Sequence, residues 1–554
     1  MTDRQPDWTP PGPGSWEFAG THSPKSPTRV FRSVAVPSAE TAYRRVFDDL
    51  GGPLDTIEMR FVHGKMYRRL RPLVGGASNM GAPPKPILWL VSRLHPAFRR
   101  RERKARHTLG TDAHLQPIAD WEQGERQQWI DANHTRQRID PAELSDAELA
   151  DHVDDLIAHN LRGWTRHHEL HGTDMGPIGD LLAHTNRWGI DPIDVMRTLY
   201  GASPATTEAA DVAARIAGAL SDAGIAVDHL VSLDDVRAVP AAARLLDDYL
   251  STYQWRVVTS YDIEGTTVGE MPLATLNMIK RAHTVGPPPT GDYDPELLAA
   301  IRVQVPAEHR SDFDEMWGWA RRAYGLRDDN GPLTAEWPMG LIRRAYLEAG
   351  DRLAERDRID EARHVFELDG PELLGVLRGA AAPTAAELAK RRDEREWEST
   401  LDPPLTLGPV GAPPDPAVLP PMMRRMVEAV TTCVELLEPP ATERPSLTGT
   451  GIGSSSYQGV ARVAHSAEEV IERMEPGDVL VAAWTAPTYN AVMAIAGALI
   501  VQEGGLLCHA AVMARELDLP AVIGAGDAMD RINDGDLVEV DPAAGRVRVL
   551  TTTG

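Results

Sequence analysis

Two stretches of the chain carry residue types that could do chemistry. In "EGGLLCHAAVMARELDLPAVIG", Glu503 to Gly524, a single histidine, His509, stands between a glycine pair and an alanine-rich helical pattern. A histidine at a helix start faces unpaired backbone N–H groups and the positive end of the dipole, a natural resting place for an anion such as a phosphoryl group. In "HNLRGWTRHHELHGTDMG", His167 and His171 lie four residues apart, with His168 beside them. That spacing lets two imidazoles share a helix face, as metal ligands or as a general-base pair beside an acceptor hydroxyl. The HExxH zinc pattern is absent, so no metal site is assigned there. Arg256, Asp262, Glu264 and Glu270 form a further charged cluster on a loop, able to position an acceptor or to pair with one another.

The elements around these residues follow from patterning. With 554 residues, the chain has room for two to four domains. Its charge of −24, from 57 basic and 81 acidic residues, argues against nucleic acid or an anionic membrane as the main partner. Only Cys433 and Cys508 are present, and the N-terminus has no apolar signal region, so a soluble cytoplasmic protein without a disulfide framework is expected. Residues 1–35 are rich in Pro, Gly and Ser and read as an extended arm. "TIEMRFVHGKMYRRL" alternates around His63-Gly64 and predicts a hairpin.

Residues 36–438 read as a mainly helical domain with that hairpin near its start. Ser145 and Glu148 form a capping pair ahead of Leu149, Val153, Leu156 and Leu161 at roughly helical spacing. Residues 439–449, "PPATERPSLTG" in large part, predict a stiff extended tether. Residues 450–554 alternate short strands and helices, ending in the two strands of "LVEVDPAAGRVRVL", and predict a compact α/β domain. The fold class is therefore multidomain, a large mainly α domain followed by an α/β domain. "GTGIGSSSYQG" carries serines where a dinucleotide fingerprint needs glycine, and reads as a flexible lead-in to that domain. The only Gly-Lys pair, Gly64-Lys65, lacks the hydroxyl residue of a P-loop.

The glycines, the Cys-His pair, the small residues after it, the Ala-Arg pair and the Pro-Ala-Val-Ile-Gly strand occur in one order. With "GDVLVAAWTAPTY" before and "INDGDLVEV" after, this stretch resembles the swivelling phosphohistidine domain of the phosphoenolpyruvate-utilising enzymes. The resemblance implies that His509 carries a phosphoryl group and that Thr485 helps hold it. The local chemistry agrees: Gly504 and Gly505 permit close backbone approach, and Cys508 and Ala510 are small enough not to block in-line attack. Arg515 and Glu516 read as surface helix residues or as site residues.

Upstream, "LYGASPATTEAADVAARIA", "YLSTYQWR" and "LIRRAYLEAGDRLAERDRIDEARHVFEL" resemble pieces of the central acceptor domain of rifampicin phosphotransferases. Within such a domain, the two clusters read above supply His167, His168, His171, Arg256 and Glu264 as acceptor-binding candidates. Where that family shows Gly-His-Arg after the tyrosine, this chain has Gln254-Trp255-Arg256. Relatives with a complete cycle place an ATP-grasp domain before the acceptor domain, and this chain begins about where it would end. The resemblance thus implies a split enzyme of the phenylphosphate synthase kind: a phosphotransferase subunit whose Mg²⁺ and ATP sit on a separate ATP-grasp-type subunit, with a small-molecule acceptor in the helical domain. Two alternatives stand beside it: a non-catalytic phosphocarrier or regulatory module, and a metal-dependent enzyme built on the His167, His168 and His171 cluster.

Overall fold

The computed structural model describes residues 6–20, 25–76, 83–202, 204–287, 293–381, 383–410, 415–437, 445–471, 473–486 and 489–552. The chain divides into two compact units that interleave in sequence. One holds Met1–Gly176, Tyr261–Glu264 and Pro332–Glu428, and the other Pro177–Ser260, Gly265–Gly331 and Ala429–Gly554. The sequence reading placed all of 36–438 in one helical domain. In the structure the helices of 177–260 and 265–331 group instead with the strands of 450–554.

In the first unit, β1 (Trp16–Phe18), β2 (Leu54–Val62), β3 (Lys65–Pro72) and β4 (Thr406–Leu407) form an antiparallel sheet in the order β2-β3-β1-β4. The expected hairpin is β2–β3. Its turn places His63 at φ 45° and Gly64 at φ 70°, the paired left-handed conformation of a two-residue turn whose twist matches the strands. The expected extended arm is corrected in part: Trp16 is buried in that sheet against Tyr67 and Leu407, and a helix already begins at Arg29. Apolar burial, absent from a composition count, is what recruits these residues.

Helix Asp146–Arg187 opens with the anticipated reciprocal cap. The Ser145 amide donates to Glu148 Oε2 at 2.9 Å, and the Glu148 amide donates to Ser145 Oγ at 3.4 Å. Leu149, Val153 and Leu156 are buried behind it.

Segment Tyr261–Glu264 is pinned within this unit. Asp262 accepts from the Thr28 amide at 2.6 Å and the Thr28 hydroxyl at 2.5 Å, which fixes the start of helix Arg29–Asp49. Arg343 donates to the Ile263 carbonyl at 2.7 Å, and Arg395 bridges Glu264 and Glu367. Burial, with the Glu264 charge next, pushes the Asp262 carboxyl up to about 6, against the opposing Thr28 bonds and Arg395.

In the second unit, a seven-stranded sheet is built from β5 (Thr450–Ile452), β6 (Tyr457–Ala464), β7 (Val479–Ala482), β8 (Ala498–Val501), β9 (Ala521–Ile523), β10 (Leu537–Asp541) and β11 (Arg546–Thr551). The order is β11-β10-β6-β7-β8-β9-β5, with β6, β7, β8 and β9 parallel and the rest antiparallel. Strands β7 and β8 are buried at every residue, which is why "VLVA" and "ALIV" are apolar without alternation. One face packs Val479, Val481 and Ile500 against Val538 and Val540. The other packs Leu499, Val501 and Ile523 against the His509 helix, in a core continuous with Ile216, Leu246 and Ile279 of the helices in the same unit.

The expected flexible lead-in is in fact partly strand. Gly451 lies in β5, where a Cβ would stand 1.8 Å from the Pro542 carbonyl oxygen. Residues 439–444 of the expected tether lie outside the described residues. The remainder is held: the Leu447 amide donates to Asp527 at 2.8 Å. Among the described residues no helix is long and apolar enough to cross a membrane.

Candidate active site

The site grows from the carboxyl ends of two adjacent parallel strands, where loops diverge and leave room for a ligand. After β7 the chain delivers Thr485, and after β8 the loop Gln502–Cys508 leads into helix His509–Glu516. Cys508 is the N-cap with an extended backbone (φ −67°, ψ 158°), so His509 is the first helical residue, beside amides that have no partner within the helix.

Half-buried His509 is held from both ring nitrogens. The Thr485 hydroxyl lies 3.1 Å from Nδ1, and Asn490 Oδ1 lies 2.7 Å from Nε2. With the Asn490 oxygen facing Nε2, the arrangement suits a ring that is protonated on Nε2 and accepts from Thr485 at Nδ1. A neutral imidazole beside a helix N-terminus can act as a nucleophile toward phosphorus, and the first-turn amides can receive the charge.

The loop residues have definite jobs. Gly504 sits at φ 115°, and a Cβ there would lie 2.9 Å from Cys508 Sγ. The Gly505 amide donates to the Leu437 carbonyl at 3.1 Å, and the Gly505 carbonyl accepts from the Cys508 amide at 3.1 Å. Burial pushes the Cys508 thiol up, against the nearby Ala510, Ala511 and Gly505 amides and the Arg515 charge, so it is a packed thiol rather than a nucleophile. Ala510 is buried against the sheet. Gly504→Ala is expected to cost roughly 1–3 kcal/mol through backbone strain and the Cys508 overlap, read as a lower denaturation midpoint. The additional Cys508→Ala change should recover only the steric share, since φ 115° remains.

Arg515 and Glu516 are not surface residues: they are 8% and 7% exposed. Arg515 donates to the Leu506 carbonyl, tying the helix to the loop that presents His509, and its guanidinium lies 5.6 Å from the Tyr200 ring. Arg515 Nε and Nη2, Glu516 Oε1 and the Tyr324 hydroxyl are buried without hydrogen-bond partners among the described residues. Burial, then the Asp328 charge, pushes the Glu516 carboxyl up to about 7, while the Gly201 amide, Arg321 and Arg515 oppose the shift. A carboxyl raised from 4.5 is bound to its proton in the folded chain over a range where the unfolded chain has lost it. Its contribution is therefore complete below about 4.5 and disappears as pH rises through about 7. Glu516→Gln is expected to flatten the fall in melting temperature between pH 5 and pH 8, measured by calorimetry on both proteins.

The acceptor candidates fall in different units. His167, His168 and His171 gather in the first, with the His167 and His171 rings 4.4 Å apart edge to face and Trp164 5.3 Å from His167. His171 Nδ1 lies 3.4 Å from the buried carboxylate of Asp174. Glu264 is in the same unit, engaged by both terminal nitrogens of Arg395. Arg256 is in the second unit, buried and stacked 3.8 Å over the Tyr253 ring. Among the described residues no group of three His, Cys, Asp or Glu side chains could hold a metal ion. Trp337 is fully buried. Sequence reasoning missed Asn490, whose one signal is a polar residue within the otherwise apolar run Tyr489 to Ile495.

A histidine thus opens a helix at the carboxyl ends of parallel strands, behind a glycine turn. Residues 474–545 match the family described as PEP-utilising enzyme, mobile domain. The chain is 27% identical over 394 residues to the chondramide synthase of Chondromyces crocatus, covering 65% of this chain and 10% of that protein. It is 45% identical over 97 residues to the phosphoenolpyruvate synthase of Escherichia coli, covering 18% and 12%. It is 26% identical over 342 residues to the rifampicin phosphotransferase of Streptomyces sviceus, covering 58% and 36%. The chain thus spans between a tenth and about a third of the length of these relatives. Together the matches show that residues 474–545 are similar to the mobile domain of the phosphoenolpyruvate-utilising enzymes.

Proposed function

We propose that the protein is a phosphotransferase subunit in which His509 carries a phosphoryl group from a nucleotide-binding partner to a small-molecule acceptor bound in its helical part. The observation that carries this reading is the His509 setting. The ring is clamped by Thr485 and Asn490 at a helix N-terminus, and desolvation pushes the neighbouring Cys508 thiol up. Support comes from the match of residues 474–545 and from relatives named phosphotransferase or phosphoenolpyruvate synthase.

The donor in this reading is ATP with Mg²⁺, held on an ATP-grasp-type chain. The imidazole lone pair forms the N–P bond as the bond from phosphorus to the leaving phosphate oxygen breaks, and the oxygen keeps the electron pair. A second displacement passes the phosphoryl group to an acceptor hydroxyl or carboxylate and returns His509 to its resting form. Splitting one transfer into two lets donor and acceptor bind at different times.

A chase tests the acceptor half. The chain carrying a radiolabelled phosphoryl group is separated from nucleotide and offered a panel of hydroxylated and carboxylate metabolites. The reading expects label to leave the protein and appear on one member of the panel faster than it appears as inorganic phosphate. Loss to inorganic phosphate alone, with every acceptor class tried, contradicts acceptor transfer and leaves a phosphocarrier.

A further inference from the structure

Both ring nitrogens of His509 face a polar side chain, and the nitrogen without the proton is the one able to attack phosphorus. Nδ1 lies next to the ring's attachment carbon and is hemmed by its own backbone, whereas Nε2 is the outer nitrogen with the freer approach. In the structure that outer nitrogen points at Asn490 Oδ1, 2.7 Å away, and the Thr485 hydroxyl stands 3.1 Å from Nδ1. An amide oxygen accepts only, so the proton belongs on Nε2 and its lone pair is withheld. The Thr485 hydroxyl, in contrast, can donate to Nδ1 or accept from it, and it serves either tautomer equally. With the amide oxygen rather than its NH2 turned to the ring, Asn490 favours one tautomer where Thr485 does not.

Asn490 opens the four-residue helix Asn490–Met493, and its carbonyl is engaged by the Ala494 amide at 3.0 Å. Buried Val492 and Met493 anchor that turn in the core. Its side chain therefore reaches His509 from a fixed base, in the same unit of the chain.

We propose that Asn490 is a positioning residue that keeps resting His509 in the Nε2–H tautomer, so that Nε2 becomes nucleophilic only when the Asn490 amide lets go. This rests on the reading of His509 as the phosphoryl-accepting residue. The proton balance is simple. One proton leaves Nε2 for solvent and one is taken up at Nδ1, where the Thr485 hydroxyl turns from donor to acceptor, and the ring stays neutral. The freed Nε2 pair then attacks phosphorus while Nδ1 keeps its proton.

Such a hold gives the site a use for Asn490 that packing alone does not. A half-buried imidazole beside helix amides is open to chance phosphorylation by small reactive phosphoryl donors. Closing the outer nitrogen at rest reserves it for a donor whose docking displaces the amide. One hydrogen bond of ordinary net strength is sufficient for a several-fold bias.

The test needs neither a nucleotide partner nor an acceptor. The full chain, labelled with ¹⁵N in histidine, is compared with Asn490→Ala and Asn490→Asp by two-bond proton–nitrogen correlation, with His509→Ala assigning the signals. The wild-type chain is expected to show a protonated Nε2 and an unprotonated Nδ1. Asn490→Ala is expected to populate both tautomers, and Asn490→Asp, whose carboxylate also accepts, to retain Nε2–H. In parallel, each protein is treated with phosphoramidate, which transfers its phosphoryl group to Nε2 as the P–N bond breaks and ammonia leaves with the electron pair. Asn490→Ala is expected to react roughly three- to tenfold faster than wild type.

A wild-type ring protonated on Nδ1, or an alanine variant with unchanged tautomer and unchanged phosphoramidate rate, overturns the proposal. If the alanine variant fails to fold, the wild-type tautomer and the aspartate variant still decide it. Failure of enzymatic loading by a nucleotide partner would instead count against the proposed function and leave these signals untouched.

Discussion

His509→Ala is expected to abolish phosphoryl loading outright, below one part in a hundred of wild type, with the fold intact. No neighbour can take over. The Cys508 thiol is pushed up by burial, and the Thr485 hydroxyl loses the imidazole it faces at 3.1 Å. Alanine is a good helix former, and this helix already reads His-Ala-Ala, so the backbone conformation at its start is retained. Thr485→Val should behave differently. It removes one hydrogen bond to the ring but leaves the nucleophile, so loading is expected to slow roughly ten- to a hundredfold rather than vanish. The same intact-mass time course reads both variants.

Arg395→Ala is expected to be the most destabilising single change in the first unit, at about 3–5 kcal/mol. Its guanidinium bonds both oxygens of Glu264 and both of Glu367, and Glu367 is only 2% exposed. Removing it leaves two carboxylates close together, with the buried Asp262 near them and already raised to about 6. Arg395→Lys should restore only part of the loss, because one ammonium cannot reproduce the planar fork. The sign with pH follows. Burial raises the Asp262 carboxyl and Arg395 opposes that shift, so without the cation it rises further, and stability lost by the variant at pH 8 is partly recovered as its proton binds toward pH 5. Urea midpoints at the two pH values measure this; a deficit that grows toward low pH would contradict the assignment.

The legible parts of the molecule are those written in short range. The hairpin around His63-Gly64 showed in its alternation, the Ser145–Glu148 cap in its spacing, and the parallel strands in runs such as "ALIV". The His509 loop was legible because close backbone approach and a helix start require glycine and small residues at set places. What stayed hidden depends on partners far along the chain. Arg515 and Glu516 read as surface residues because nothing local says that Tyr200 and Tyr324 will bury them. The four residues Tyr261–Glu264 looked like a charged loop, and only long-range contacts assign them to the first unit and commit Glu264 to Arg395. Asn490 lacked any periodic signature, since four residues are too few to show a helical face.

The interleaving of the two units has the same origin. Periodicity identifies helices but not which core each one joins, and the helices of 177–260 and 265–331 share their core with the sheet that presents His509. Loading chemistry on that sheet therefore stands on more than the C-terminal residues. Substitutions in Ile216, Leu246 or Ile279 are placed to disturb it through packing.

The most direct measurement is intact-mass analysis at alkaline pH, which preserves phosphohistidine, after the purified chain is incubated with Mg²⁺-ATP and a candidate ATP-grasp protein of demonstrated nucleotide-cleaving activity. The account predicts a gain of one phosphoryl group, dependent on that protein, labile to acid, mapped by fragmentation to His509 and absent from His509→Ala. No gain in the presence of the active donor, or a gain that persists in His509→Ala, would contradict it.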